Sequence, residues 1–162
     1  MDKLLDKISK YHLINYIIPG VFAVYLSRSL NEVDLLTKDL FLDVVFVYIM
    51  GLICSRIGSL VVEPILKWIG FVKFSDYKDY LSAEKKDPKL SDLVIDDNLY
   101  RTVVGSILFI LLQFIFLWLC EKCTLIKDLS SIIVLTVLLL LFVFSYKKQS
   151  SYIKQRVEKY KE

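Results

Sequence analysis

Residues 102–120, TVVGSILFILLQFIFLWLC, run for nineteen positions without a charged side chain. As an α-helix this run would be about 28 Å long, close to the roughly 30 Å hydrocarbon thickness of a bilayer. A helix apolar all round must be covered on every side, by protein or by lipid. Three further apolar blocks accompany it, at about 12–28, 40–62 and 129–146. The chain has 162 residues and is 56% hydrophobic, against about 45–50% for soluble domains. The excess is concentrated in these blocks, so lipid is their expected solvent. Backbone N–H and C=O groups in hydrocarbon must be paired within the segment, which selects helices for these runs. The expectation is a single all-α domain, an integral membrane protein with four transmembrane helices.

The flanks set the orientation. Basic residues near the spans stay on the cytoplasmic side. Residues 1–11 carry three, the polar stretch 67–101 seven and the tail 147–162 six. The two short connections hold only Arg28, Lys38, Lys122 and Lys127. This asymmetry predicts both termini inside, with the loop between the second and third helices (67–100) and the basic tail (147–162) in the cytoplasm. Leu4, Leu5, Ile8 and Tyr11 share one face of 1–11, the pattern of a short helix on the membrane surface. Asn15 and Gln113, within the first and third spans, are expected to face other helices, because an amide in lipid lacks partners.

The second span carries a face of small residues. Gly51, Cys54, Ser55 and Gly58 follow the i, i+3, i+4, i+7 spacing of one side of a helix. Small side chains let another helix approach closely, so this face is expected to pack helices or a second copy of the chain. Arg56 interrupts the apolar run and Glu63-Pro64 follows. Arg56 and Glu63 are two turns apart on nearly the same face, a spacing that allows a direct or water-bridged pair. Arg56 at this end of the span is expected to snorkel to phosphate headgroups; the competing reading makes Arg56 and Glu63 charges that couple the span to the loop. Beyond them Trp68, Phe71, Phe74, Tyr77 and Tyr80 recur at every third position. Aromatic rings favour the membrane–water interface, so a helix lying there is expected. Base stacking is the competing use of such rings, but the stretch 67–101 holds seven acids against seven bases, which argues against a nucleic-acid groove. Ser91 could cap a short helix after a break at Pro88.

Chemistry is thinly represented. His12 is the single histidine and no Gly-rich phosphate loop or paired-histidine motif occurs. Cys120 and Cys123 match Cys-x-x-Cys without the βαβ setting that gives that spacing a redox meaning. No metal, cofactor or catalytic set is expected, and the chain is read as non-enzymatic.

The segments SRIGSLVVEPILK (55–67), FVKFSDYKDYLSAEKKD (71–87) and NLYRT (98–102) together resemble a pattern in small multi-span membrane components of prokaryotic antiphage defence systems, such as that of Kiwa. The resemblance covers about a third of the chain and includes no catalytic signature. It implies a bacterial inner-membrane sensor or effector working with a cytosolic partner. The expected function is therefore a self-associating, non-enzymatic sensor, effector or scaffold. It would couple a membrane event to a cytoplasmic protein through 67–100 and the tail. The alternative is a small homo-oligomeric channel or permeabilising effector gated through the loop.

Overall fold

The computed structural model of the chain describes residues 13–37, 39–75, 77–84, 86–87 and 89–159. Among them every regular element is helical. A π-helical turn, Leu13–Ile17, leads into α1 (Ile18–Asn31). Helix α2 (Leu40–Ile57) passes through a second π-turn, Gly58–Val62, into α3 (Glu63–Trp68). A short α4 (Tyr77–Glu84) follows, then α5 (Leu90–Lys122), α6 (Thr124–Asp128) and α7 (Ser130–Lys159).

Local chemistry explains the boundaries. Helix α1 ends at Glu32, which takes a left-handed conformation with φ 56°; the Val33 N–H closes the end by donating to the Ser27 carbonyl at 3.2 Å. Asp39 caps α2, its carboxylate accepting from the N–H groups of Phe41 and Leu42 at 2.9 and 3.1 Å. Asp43 ties the preceding loop to the first turn by accepting from the Thr37 N–H at 2.7 Å.

The first two helices and α5 pack tightly against one another, and α7 lies along their flank. Val24, Met50, Ile53 and Ile57 form the buried apolar centre, with Leu108, Phe109, Leu138 and Leu141 packed on it. Close approach comes from glycine. A Cβ on Gly51 would collide with the Tyr16 carbonyl, and one on Gly105 with the Cys54 carbonyl. Tyr16 then meets Tyr48 edge to face, with ring centroids 5.5 Å apart.

Three helical runs are long and apolar enough to cross a membrane, Leu40–Trp68, Leu90–Lys122 and Ser130–Glu158. The sequence predicts four. The first block is the one that falls short among the described residues. Its α-helix, Ile18–Asn31, has 14 residues, short of the roughly 20 a span needs, and its last turns carry Ser27, Arg28, Ser29 and Asn31. Pro19, Gly20, Ala23, Val24 and Ser27 are buried against neighbouring helices. The proposed surface helix 1–11 and His12 lie outside the described residues.

Two boundaries also move. Residues 90–100, expected as a separate short helix of the loop, are the first three turns of α5, continuous with the apolar run. Ser91 is therefore inside a helix and is no cap, because the helix starts at Leu90. The aromatic series does not lie on one helix either. Trp68 ends α3, Gly70 turns the chain with φ +73°, and the next helix begins only at Tyr77. A positive φ suits glycine and stops a helix there. In the tail, Ile153 and Val157 stand one helical turn apart, and α7 continues through them to Lys159.

Candidate functional site

The most concentrated polar arrangement is built around Glu63, at the end of the bundle where α3, α5 and α7 meet. Its carboxylate is buried, with 7% exposure. Lys67, one turn on, donates to Oε1 at 2.8 Å. Arg101 on α5 donates from Nη1 to Oε2 at 2.8 Å, and Lys148 on α7 reaches the same oxygen at 3.2 Å. Arg101 is held from its other side by Asn98, whose Oδ1 accepts from Nη2 at 2.6 Å. A buried carboxylate is costly unless opposite charge and hydrogen bonds surround it. Here one carboxylate binds cations from three helices.

The backbone explains why Lys148 comes to this point. The Glu63 N–H bonds to the Gly58 carbonyl, five residues back. Next in that wide register is Pro64, which has no N–H to give to Ser59. The Ser59 carbonyl accepts from Lys148 Nζ at 2.8 Å instead, and the Ser59 hydroxyl oxygen accepts from it at 2.8 Å. With Glu63, these contacts use all three ammonium donors of Lys148. The π-turn and the proline thus create an acceptor site for the last helix.

Glycine sets the register of the other partner. A Cβ on Gly58 would stand 2.6 Å from the Arg101 carbonyl, and one on Gly105 would stand 2.9 Å from the Gly58 nitrogen. With α2 and α5 pressed together at Gly58 and Gly105, Arg101 lies one turn from the crossing and Glu63 just beyond it. A small cavity of about 150 Å³ opens beside the pair, walled by Leu66, Phe74, Tyr100 and Val104, with Asp97, Glu63 and Arg101 at its polar side. Lys67 also lies over the Phe74 ring, 4.3 Å from its centroid.

A second polar node holds the opposite end. Gln113 Oε1 accepts from the Ser27 hydroxyl and from Asn31 Nδ2, both at 2.9 Å. Asn31 also donates to the Ile110 carbonyl at 3.3 Å. This fixes α1 against α5. Asn15 faces inward, 1% exposed, and its amide pairs with no described residue.

The sequence-derived candidates divide. Gly51, Cys54, Ser55 and Gly58 are all buried against helices of this same chain; the small-residue face is an intramolecular seam and presents no surface to a second copy. Glu63 stands at the centre of the cluster, but Arg56 is not among its partners. The wide π-turn between them uses more residues per revolution, so Glu63 is turned away from the face Arg56 occupies. Among the described residues no carboxylate lies within ion-pair distance of Arg56. Trp68 and Phe71 are exposed and Phe74 is half-exposed under Lys67. Tyr80 is partly buried on α4, and the Tyr77 side chain lies outside the described residues.

Arg101, Lys148, Ser59 and Asn98 escaped the sequence reading. A signal was available. Glu63, Arg101 and the Lys147-Lys148 pair stand at borders of the apolar runs 40–62, 102–120 and 129–146, and in successive antiparallel helices those borders fall at one depth.

Comparison with protein-family models, with characterised proteins and with solved structures found no match to the chain. What the fold and site define is a class: an all-helical bundle with three helices long and apolar enough to cross a membrane, closed at one end by a buried carboxylate that gathers three cations.

Proposed function

We propose that this chain is a multi-pass protein of the bacterial cell membrane that couples the arrangement of its bundle to a cytoplasmic protein. The observation that carries the reading is the Glu63 cluster. It ties α5 and α7 to the point where the chain leaves the second span for its polar loop. Helix α4 of that loop packs against both α5 and α7. A displacement of α7 would therefore change the charges around Glu63 and the seat of α4 together. The loop and the basic tail are the surfaces offered to the partner, and the excess of basic residues there supports a cytoplasmic position. The place in antiphage defence rests on the resemblance of 55–67, 71–87 and 98–102 alone.

The test is a phage challenge of cells carrying the chain with its native neighbouring genes, as wild type and as Glu63→Gln at matched membrane abundance. Plating efficiency and membrane potential are followed together, the latter with a voltage-sensitive dye. Protection by the wild type at steady potential, lost in Glu63→Gln, is the expected result. Depolarisation that requires this chain would replace coupling with the channel reading. Absence of protection by the wild type would remove defence as the setting.

A further inference from the structure

Beside the Glu63 cluster, on the outer side of the bundle, a groove of about 590 Å³ runs between the end of the second span and α7. This lies in the size range of small-molecule sites, roughly 300–1,000 Å³. Its walls are Leu60, Val61, Leu141 and Phe144, and its far end carries Lys147, Lys148 and Ser151. Along the α7 wall the lining passes from the apolar Leu141 and Phe144 to Lys147, Lys148 and Ser151, so the charge lies beyond the last apolar turn of that helix.

We infer that this groove holds an acyl chain of an anionic phospholipid, whose headgroup phosphate meets Lys147 and Ser151 at its cationic end. Charge complementarity carries the assignment. Lys67, Arg101 and Lys148 surround one buried carboxylate, so the cluster keeps a surplus of positive charge even after Asp97 nearby is counted. The donors of Lys148 are spent on Ser59 and Glu63. Lys147 is exposed and pairs with no described residue, which leaves its ammonium for a phosphate, and the exposed Ser151 hydroxyl follows one turn on. Basic pockets between membrane helices at the cytoplasmic surface are suited to anionic headgroups. A second copy of this chain fits the groove poorly, because a symmetric contact through α7 would set lysine pairs against lysine pairs. The inference requires that the chain be membrane-embedded. It does not require the coupling role proposed above.

The experiment uses the full chain, purified in mild detergent and supplied with palmitoyl-oleoyl phosphatidylglycerol or phosphatidylcholine. Retained lipid is counted by native mass spectrometry. Wild type is expected to retain phosphatidylglycerol in preference to phosphatidylcholine. Lys147→Gln should weaken that retention about five-fold, the equivalent of roughly 1 kcal/mol per basic residue at an anionic surface. Val61→Phe, which fills the apolar part, should weaken retention of both lipids while the melting temperature is held. Equal retention of the two lipids, or no change in Lys147→Gln, overturns the inference. Full displacement of the lipid by inorganic phosphate would also overturn it, since the acyl chain would then contribute nothing. Recovery of the chain from cells in the aqueous fraction without detergent would instead remove the membrane reading itself, which separates the two failures.

Discussion

Gly58 and Gly105 face each other where the end of α2 crosses α5, so close that a methyl group on Gly105 would lie 2.9 Å from the Gly58 nitrogen. The contact fixes where each helix stands along the other. Glu63 and Arg101, each a few residues from its own glycine, come within 2.8 Å as a consequence. Packing and electrostatics at this end are one arrangement.

Gly105→Ala should therefore cost stability and disturb the site at once. The added carbon meets backbone of α2 at Cys54, which cannot swing aside as a flexible side chain could. Overpacking of this kind costs about 1–3 kcal/mol. Thermal unfolding of the detergent-solubilised chain should show a clearly lowered midpoint. Gly70→Ala meets no atom within 4 Å and carries only the penalty of its positive φ, about 1–2 kcal/mol. An unchanged midpoint in Gly105→Ala would mean that the two helices do not cross at these residues.

Removing the carboxylate is predicted to be worse than removing any one of its partners. Glu63→Gln leaves Arg101 and Lys148 close together, 22% and 25% exposed, without a counter-charge. Breaking a buried ion pair by deleting one member costs about 3–5 kcal/mol. Lys67→Gln should cost under about 1 kcal/mol, because that ammonium is 45% exposed and screened by water. Chemical-denaturant unfolding of the two variants in the same detergent tests the order. The double variant Glu63→Gln/Lys148→Met should be less unstable than Glu63→Gln alone, since it removes one of the stranded charges.

Gln113 makes a different prediction because its partners are neutral. Gln113→Leu fits an apolar helix but strands the Ser27 hydroxyl and the Asn31 amide. Side-chain hydrogen bonds between membrane helices average about 0.6 kcal/mol, with about 1.7 at the upper end. The loss should fall in that range and appear as greater protease sensitivity in the 32–39 loop, which follows directly from Asn31. Equal stability and equal cleavage would show that the amide does not hold α1.

The apolar runs were legible because their signal is summed over nearly twenty positions, and no single residue decides it. Gln113 was legible as a bundle-facing residue for the same reason: one amide in an uncharged run has few alternatives. The Arg56–Glu63 pairing was not, because it assumed constant helical pitch. A π-turn at Gly58–Val62 breaks that assumption, and nothing in the composition of GSLVV announces it. Pro64 was visible, but its consequence depends on the register of the turn before it, which hands the Ser59 carbonyl to Lys148. The small-residue face showed that a close neighbour was needed. It could not show which helix, since Gly51 meets Tyr16 and Gly58 meets Arg101 through contacts far apart in sequence.

The native cysteines allow the orientation to be tested by labelling. Cys54 is fully buried between helices, whereas Cys120 and Cys123 are partly exposed where α5 passes into α6. The distribution of basic residues predicts that connection to lie outside the cytoplasm. A membrane-impermeant maleimide added to intact cells with a permeable outer envelope should label Cys123 and spare Cys54. Inside-out membrane vesicles should remain unlabelled until detergent opens them. Cys120→Ser and Cys123→Ser variants assign the label. Labelling of the inside-out vesicles instead would reverse the orientation, moving the Glu63 cluster and the lysine-ended groove to the outer face. The loop and tail would then be on the wrong side to meet a cytoplasmic partner.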